Sequence, residues 1–306
     1  MTVPPVPMTD HASGDGRAPS PLTVVVIHHR RPVSCAATCR AFADQGLPVR
    51  MIVVDNGSPR SDLDLLGAVP GIEILELGRN RGFGPAANAG IRHWLATGGG
   101  EWVVVAPHDA RPRPGAVETL LRVAESRPRA GMACAEYGDN TRPVVDHYLG
   151  GLVCPLDTDG PWVPTDHPHG TLLALRRAGV SGVGLFDERY FAYVEEADLA
   201  LRMSAAGWEV GMVLGAVVEN PGTSVPRPVV EYLQTRNTLL LVREHFGRYH
   251  VFIRFCIAVL STIHQWLRPS RRAPWYDARA RWLALAHFVA GRFGAPPLRL
   301  STDSST

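Results

Sequence analysis

Three runs of apolar, largely β-branched residues constrain the fold of this chain most strongly. Residues 22–27, 50–54 and 102–106 are each almost continuously apolar, and each run stops abruptly at polar residues. An uninterrupted apolar run of this length is typical of a strand buried on both faces of a parallel sheet. Helical patterns lie between these runs, so the sequence predicts an α/β fold, and 306 residues with 45% apolar content suffice for its core.

The polar residues that end these runs are the first candidate site. His28, His29, Arg30 and Arg31 follow the first run, Asp55 ends the second, and Pro107-His108-Asp109 ends the third. Open α/β sheets bind ligands at the carboxyl ends of their strands, where a carboxylate can hold a ribose or base. A solvated basic loop, a simple turn after Asp55 and a surface histidine at position 108 remain the structural alternatives.

A glycine-rich segment follows a predicted strand at residues 72–77. Residues 78–91 read Gly-Arg-Asn-Arg-Gly-Phe-Gly-Pro-Ala-Ala-Asn-Ala-Gly-Ile. Small residues let a backbone pass close to a ligand, and the start of the following helix can face an anion. The third glycine of a dinucleotide-binding fingerprint is missing, so the segment does not indicate a Rossmann dinucleotide site.

An acidic and aromatic segment lies in the middle of the chain. Residues 186–202 read Phe-Asp-Glu-Arg-Tyr-Phe-Ala-Tyr-Val-Glu-Glu-Ala-Asp-Leu-Ala-Leu-Arg. Carboxylates beside aromatic groups are poorly solvated, which raises their pKa towards the range of a general base. A helix is predicted from Glu195, with Glu195 and Asp198 on one face and Glu196 on another. Acidic residues are also common in the first turn of an ordinary solvated helix.

The last two segments, together with Val-Val-Asp-Asn-Gly-Ser at residues 53–58, resemble inverting family 2 glycosyltransferases, in particular the rhamnosyltransferase-like branch. Five motifs in the expected order cover about residues 21–225, and the arginine-, alanine- and glycine-rich composition suits a high-GC actinobacterium. The resemblance implies an A-type glycosyltransferase fold, a Rossmann-like sheet that binds a nucleotide sugar, with a helical C-terminal extension. The implied reaction moves a sugar, with inversion, from a nucleotide diphosphate sugar to an acceptor hydroxyl. The expected donor is a UDP- or dTDP-sugar, and the expected acceptor is a cell-surface glycan, a lipid-linked saccharide or a natural product.

Residue roles follow from the resemblance. Glu196 aligns with the base of the family, although the usual motif has Glu-Asp where this chain has Glu195-Glu196, and Glu195 and Asp198 would orient the acceptor or the helix. The residues expected to bind the donor are His29, Arg30, Asp55, Asn80, Gly82, Asn88, His108 and Asp109.

A divalent metal, Mg²⁺ or Mn²⁺, is also implied, because hard oxygen ligands would bridge it to the donor phosphates. Asp109 and Asn220 are the candidate ligands, but Pro107 replaces the first acidic or amide residue of the motif and Asn220 replaces a histidine. Metal dependence is therefore doubtful, and Arg30, Arg31 or Arg81 could hold the phosphates instead.

Four regions are expected: tails without stable structure at 1–20 and 299–306, a catalytic domain at 21–226 and a helical extension at 227–298. The loop at 157–170 has no periodicity and could be a binding loop, with Trp162 either facing a sugar or packed in the structure. The apolar, basic helices after residue 227 leave open a peripheral membrane contact, packing on the catalytic domain, or packing on a second subunit in a homodimer. No secretory signal pattern begins the chain, so a cytoplasmic, possibly membrane-associated protein is expected, and the net charge of +2 does not indicate a nucleic-acid binder.

Two other functions fit parts of the sequence. A sugar nucleotidyltransferase also uses an α/β sheet with a glycine-rich loop, although the segment after the first strand lacks glycines. A catalytically impaired sugar-nucleotide-binding protein would explain the altered residues Pro107 and Asn220.

Overall fold

The computed structural model describes residues 20–220, 225–272, 276–297 and 300, and the two predicted tails lie almost wholly outside this range. Within it, apolar runs form the strands of a mixed sheet, as the sequence predicts. The strands are β1 (Leu22–His28), β2 (Val49–Asp55), β3 (Ile72–Glu76), β4 (Trp102–Pro107), β5 (Arg111–Pro112), β6 (Ala130–Glu136), β7 (Thr141–Val144), β8 (Leu152–Pro155), β9 (Trp162–Pro164), β10 (Leu173–Arg176) and β11 (Glu209–Glu219).

The sheet of the described residues has nine strands in the order β3-β2-β1-β4-β10-β6-β11-β5, with β9 paired to β11. β7 and β8 form a separate antiparallel hairpin. β1 to β4 are parallel to one another, whereas β10 runs antiparallel between β4 and β6. The register aligns His28 with Asp55 and Ile27 with Pro107, so the polar residues that end these strands meet at one edge of the sheet.

Helices cover both faces of the sheet. Val24 and Val26 belong to a core cluster with residues of the helices at 32–43, 60–67 and 116–125, while Val25 and Ile27 belong to a second cluster with residues of the helices at 83–96, 177–183 and 195–205. Successive side chains of a strand point to opposite faces, so both faces of β1 must be apolar, and this explains its continuous apolar run. The helices are α1 (Pro32–Ala43), α2 (Arg60–Gly67), α3 (Phe83–Ala96), α4 (Ala116–Glu125), α5 (Arg177–Val183), α6 (Glu195–Ala205), α7 (Arg227–Leu267) and α8 (Ala278–Val289).

The segment predicted as an irregular loop at 157–170 contains the short strand β9. Its Trp162 is 9% exposed, stacks under the guanidinium of Arg127 and packs so tightly on Gly211 that a Cβ there would clash with the indole. Trp162 therefore fills the core, and of the two interpretations left open by the sequence the structure supports the packing one.

The C-terminal extension is a broken helix and a second helix packed along it. α7 has a non-helical residue at Gly247 (φ 85°), where a positive φ favours glycine. The part of α7 before Gly247 packs on the acidic and aromatic segment, through contacts of Leu240 and Leu241 with Tyr190 and Val194. The extension is therefore a structural support of that segment.

Candidate functional site

The ends of β1 and β2 are joined by a buried contact between a histidine and a carboxylate. Nδ1 of His28 lies 3.1 Å from Oδ1 of Asp55, and the two side chains are 0% and 2% exposed. The Asp55 carboxylate also accepts the backbone N–H groups of Gly57 and Ser58 at 3.1 Å. Burial alone would raise the pKa of Asp55, but these hydrogen bonds outweigh it and lower the pKa to about 2. Asp55 is thus a fixed anion, and its direct contact with a nucleoside stays a prediction.

An amide network joins the loop after β2 to the glycine-rich segment. Asn56 donates to Oδ1 of Asn80 at 3.1 Å and to the carbonyl of Gly82 at 3.0 Å. Nδ1 of His29 lies 3.0 Å from the carbonyl of Asn56, and burial lowers the pKa of His29. The predicted donor-binding residues His29, Asn80 and Gly82 are therefore brought together, with Asn56 as the hub that the sequence prediction missed.

Arginine side chains surround this network without entering it. Arg30 adopts a left-handed backbone conformation (φ 51°) and donates its backbone N–H to Ser58. The side chains of Arg30, Arg31 and Arg81 are exposed at this edge of the sheet. Three cations are thus available to an anion placed above the loops.

The glycines of the 78–91 segment have a different physical reason from the one the sequence suggested. A Cβ on Gly82 (φ 97°) would lie 2.2 Å from the carbonyl oxygen of Phe191, and the backbone N–H of Gly84 donates to that same oxygen at 3.3 Å. The close approach at Gly82 is to the acidic and aromatic segment. The glycine-rich loop therefore helps to position the segment that carries the carboxylates, which begin at Glu195.

Asn88 strengthens the same junction. Its amide donates to the carbonyl of Phe186 at 2.8 Å and to Glu188 at 3.1 Å, while its oxygen accepts the backbone N–H of Phe186 at 3.0 Å. Asn88 is 1% exposed, and most of its hydrogen-bonding capacity is used inside the protein. In this structure Asn88 positions the segment at 186–188, and direct donor binding by Asn88 stays a prediction.

The backbone that leads into α6 is strained. Phe191, Tyr193 and Val194 have φ values of 68°, 68° and 77°, which residues other than glycine rarely adopt. Asn237 of α7 holds this turn, because its Nδ2 lies 2.8–2.9 Å from the carbonyl oxygens of Tyr190, Ala192 and Tyr193. Strain of this kind persists only where the surroundings enforce it, and here it fixes the start of α6.

Glu195 and Glu196 occupy the first turn of α6 in different environments. Glu195 is 3% exposed, packs on Gly84, and has no hydrogen-bond partner for Oε2 among the described residues. Burial, and then the charge of Glu196, raise the pKa of Glu195 well above its ordinary value. Glu196 is partly exposed and its pKa is also raised by burial, an effect that the neighbouring His167 partly offsets. Burial thus raises the pKa of both carboxyl groups, and of the two Glu196 is the one that is partly exposed.

Asp198 has a third environment. It accepts from Nε of Arg202 at 2.9 Å, and its other oxygen lies 2.9 Å from Nε2 of His245 on α7. Burial would raise its pKa, but His245 and Arg202 lower it instead. Asp198 is thus a paired anion that links α6 to α7, which matches the helix-orienting role among those expected for it.

Two residues beside Glu196 escaped the sequence prediction. The His167 ring lies near Gly151, and its Nδ1 is buried without a hydrogen-bond partner in the described part of the chain. Burial raises the pKa of the Tyr137 hydroxyl, and the charges of Glu196 and Asp109 add to this effect, so Tyr137 lies in the field of both carboxylates. Both residues reach the site through strand pairing that no local pattern reveals, although His167 does belong to the loop that the sequence marked as a binding loop.

Polar residues also follow β4, the third strand that ends at this edge of the sheet. The backbone N–H of His108 donates to Ile27, and burial lowers the pKa of the His108 ring. β5 pairs with the end of β11, so Asn220 comes to the same edge as Asp109. The exposed Asn220 amide donates to Thr171 at 3.4 Å.

The described residues do not complete a metal site by themselves. Among the described residues no group of three or more His, Cys, Asp or Glu side chains could hold one. One carboxylate at Asp109 and one amide at Asn220 provide too few ligands for Mg²⁺ or Mn²⁺, which take about six. The protein alone therefore offers no preformed metal site at this edge.

Comparison with known sequences agrees with the predicted resemblance. Residues 23–178 match the family described as Glycosyl transferase family 2. The N-acetylglucosaminyl-diphospho-decaprenol L-rhamnosyltransferase of Mycobacterium tuberculosis is 30% identical over 247 residues, which cover 69% of this chain and 80% of the relative. The succinoglycan biosynthesis protein ExoO of Rhizobium meliloti is 30% identical over 112 residues, 36% of this chain and 31% of that protein.

Solved structures share the fold at low sequence identity. The mannosyltransferase PcManGT from Pyrobaculum calidifontis, in complex with GDP-Man and Mn²⁺, has a TM-score of 0.58 at 14% identity and covers 92% of this chain and 89% of its own. TarS from S. aureus has a TM-score of 0.53 at 12% identity, with 92% of this chain and 82% of that one covered. The overall fold of this chain is thus one that solved structures share.

Proposed function

Because the chain belongs to glycosyltransferase family 2 and has the A-type glycosyltransferase fold with a helical extension, we propose that it transfers a sugar, with inversion, from a nucleotide diphosphate sugar to an acceptor hydroxyl. Glu196 is the base. A base has to touch its substrate, and Glu196 is partly exposed whereas Glu195 is buried. The raised pKa of Glu196 supports this assignment, since a base works best with a pKa near the operating pH.

The reaction breaks one bond and forms another. Glu196 takes the proton of the acceptor hydroxyl, and the oxygen attacks the anomeric carbon from the side opposite the diphosphate. The bond between that carbon and the phosphate oxygen breaks, and the nucleoside diphosphate leaves with the electron pair. Arg30, Arg31 and Arg81 are the exposed cations available to its charge, and no step is assigned to a metal ion.

The donor lies over the ends of β1 and β2 in this proposal. His29, Asn80 and Gly82 form a polar rim there, and Asp55 holds the loop of that rim from beneath. A UDP- or dTDP-sugar is the proposed donor, and L-rhamnose is the first sugar to test, because the mycobacterial relative is named as an L-rhamnosyltransferase. The protein acts in the cytoplasm, where nucleotide sugars are made.

The single observation that carries the proposal is the pair Glu195 and Glu196, held by strained backbone beside the donor loops. The test is a melting-temperature screen with UDP-, dTDP- and GDP-sugars, because a ligand that binds only the folded state raises the melting temperature. Donors that bind are then incubated with hydroxyl acceptors, and the anomeric configuration of the product is read by NMR. A retained configuration would contradict inversion.

A non-catalytic sugar-nucleotide binder is the second candidate, favoured by Pro107 and Asn220 at the usual metal positions. It predicts donor binding without transfer to any acceptor of a broad panel. Pyrophosphate release from a nucleoside triphosphate and a sugar 1-phosphate would instead indicate a nucleotidyltransferase.

A further inference from the structure

The C-terminal half of α7, residues 248–267, exposes an apolar stripe. Tyr249, Phe252 and Leu260 are 66%, 63% and 66% exposed, although exposed side chains of this size are individually ordinary. Ile263 and Leu267 continue the stripe. Phe252, Leu260, Ile263 and Leu267 lie 3, 11, 14 and 18 residues after Tyr249, and these spacings place all five on one side of a helix with about 3.6 residues per turn. A continuous stripe of this kind indicates a contact surface.

The opposite side of the same half-helix is fixed to the protein. Ala258 and Thr262 are 5% and 0% exposed, and this side packs with Leu239 and Leu285. Arg254, also on this side, donates to Thr238 at 3.2 Å. α7 contains a window of mean hydropathy 1.3, long and apolar enough to cross a membrane, of which only 11% is buried. The packed side and its arginine favour a helix that lies along a membrane surface over one that spans the membrane.

Charge identifies what kind of surface this face fits. Residues 245–306 carry nine arginines and two acids, a formal net charge of +7, whereas residues 1–244 carry 22 arginines and 27 acids, a net charge of −5. Arg248, Arg268, Arg272 and Arg279 are exposed around the apolar stripe. Clustered arginines beside an amphipathic helix are attracted to anionic headgroups.

Aromatic residues stand at both ends of the stripe. Tyr249 begins it, and Trp266, which is 62% exposed, directly precedes its last member, Leu267. Tyrosine and tryptophan are favoured at the boundary between headgroups and hydrocarbon, because each has an apolar ring and a polar atom. The residue types along the stripe thus agree with its charge.

We propose that residues 248–267 lie in the headgroup region of an anionic lipid bilayer and that the enzyme takes its acceptor hydroxyl from a membrane-bound molecule. The second half of this statement rests on the proposed function. The first half of α7 links the two, because Asn237 holds the turn that leads to Glu196. The turn that positions the base at the start of α6 is therefore held by the same helix, α7, whose second half would dock on the membrane.

Vesicle flotation of the full chain tests the docking. The parent protein should float with vesicles of equal phosphatidylglycerol and phosphatidylcholine, and much less with phosphatidylcholine alone. The double variant Phe252→Glu/Leu260→Glu should bind the anionic vesicles about 100-fold more weakly, because it lacks two apolar side chains that the bilayer would bury. Leu65→Glu, at a 60% exposed position of α2, is the matched control and should bind like the parent.

Three results would contradict this proposal. Equal binding by the double variant and the parent would overturn the assigned face, and equal binding to both lipid compositions would overturn the role of the arginines. A parent that forms a dimer in sedimentation equilibrium, loses it in the double variant and ignores vesicles would show a subunit interface instead. Because the substituted residues are exposed, an unchanged melting temperature checks the fold.

Activity separates this proposal from the proposed function. Vesicle binding without transfer from any nucleotide sugar would contradict the function and leave the docking standing. Transfer to a soluble acceptor without any vesicle binding would contradict the docking alone. Transfer to a lipid-linked acceptor in vesicles that falls in the double variant, with soluble-acceptor transfer unchanged, is the result expected when both hold.

Discussion

The donor side and the acceptor side of the site handle buried carboxylates in opposite ways. On the donor side Asp55 is surrounded by hydrogen-bond donors, which lower its pKa to about 2 despite its burial. On the acceptor side Glu195 is just as buried, but its Oε2 has no hydrogen-bond partner among the described residues, and burial raises its pKa well above the ordinary value. Burial alone therefore does not decide the charge of a carboxylate, since the hydrogen bonds it receives can reverse the effect.

The difference assigns a task to each side. A carboxylate that is ionised at every physiological pH can hold a loop in place but cannot exchange a proton usefully. A pair with raised pKa values can, and the partly exposed Glu196 is the member that a substrate can reach. In the proposed function the donor side is thus a rigid platform, and the acceptor side carries the proton chemistry.

The largest expected effect is that of Glu196→Gln. The variant keeps the shape of the side chain but cannot take a proton, so transfer should fall by roughly 10²–10⁴-fold. Donor affinity, measured by calorimetry, should change little. Glu188→Gln is the control, because Glu188 lies in the same segment, is 53% exposed and pairs with Arg92. Turnover of the Glu196 variant within a few-fold of the parent would place the base elsewhere, with Glu195 and Asp198 next to test.

Asn237→Ala should have the next largest effect. It removes a side chain that donates to carbonyl oxygens of the strained turn and accepts from the buried Arg236, and the loss of these hydrogen bonds should lower the free energy of unfolding by about 3 kcal/mol. The turn would relax, so kcat should fall while donor affinity stays unchanged. Gln234→Ala, at an exposed position of the same helix, is the control. A stable variant with normal kcat would show that the turn needs no support from α7.

The sequence predicts the parts of this site that depend on local patterns, but not those that depend on contacts between residues distant in sequence. Buried strands follow from local apolar runs, and the helix at Glu195 follows from its first-turn acids, so both were predicted. Tyr137 and His167 meet Glu196 only after strands distant in sequence have paired, and no local pattern marks them. Donor binding by Gly82 stays a prediction, and the sequence did not reveal that this glycine lies against the carbonyl of Phe191, a contact across more than 100 residues.

Asp55→Asn tests the donor platform. A carboxylate whose pKa is lower in the folded than in the unfolded protein stabilises the fold above its ordinary pKa of 3.8. The shift to about 2 corresponds to about 2 kcal/mol, which the variant should lose at neutral pH. The difference from the parent should disappear as the pH falls from about 4 towards 2. Asp64→Asn, in an exposed pair with Arg60, is the control and should change stability little. Unchanged nucleotide affinity in the Asp55 variant would remove it from the donor site.

Glu195→Gln should shift stability in the opposite direction. The pKa of Glu195 is raised in the folded protein, so the parent loses stability as the pH rises above the ordinary value of 4.5. The neutral variant avoids this loss, and its advantage in melting temperature should therefore grow with pH from about 5 upwards. A difference in melting temperature between the two proteins that stays constant from pH 5 to 8 would mean that Glu195 is ionised or well paired in the folded state.

The smallest effect concerns metal, which bears on whether the donor platform works with its own cations alone. Asp109 and Asn220 are too few ligands to stabilise the fold, so a chelator should leave the melting temperature unchanged. We expect metal to bind only together with the donor phosphates, and a chelator then to lower activity. Asn220→His would supply an imidazole, which Mn²⁺ accepts more readily than Mg²⁺, and activity plotted against Mn²⁺ concentration should rise more steeply than in the parent. Identical curves would mean that Asn220 does not face the phosphates. Full activity of the parent in excess chelator would mean that the exposed arginines alone hold the diphosphate, and Arg30, Arg31 and Arg81 would then be substituted one at a time.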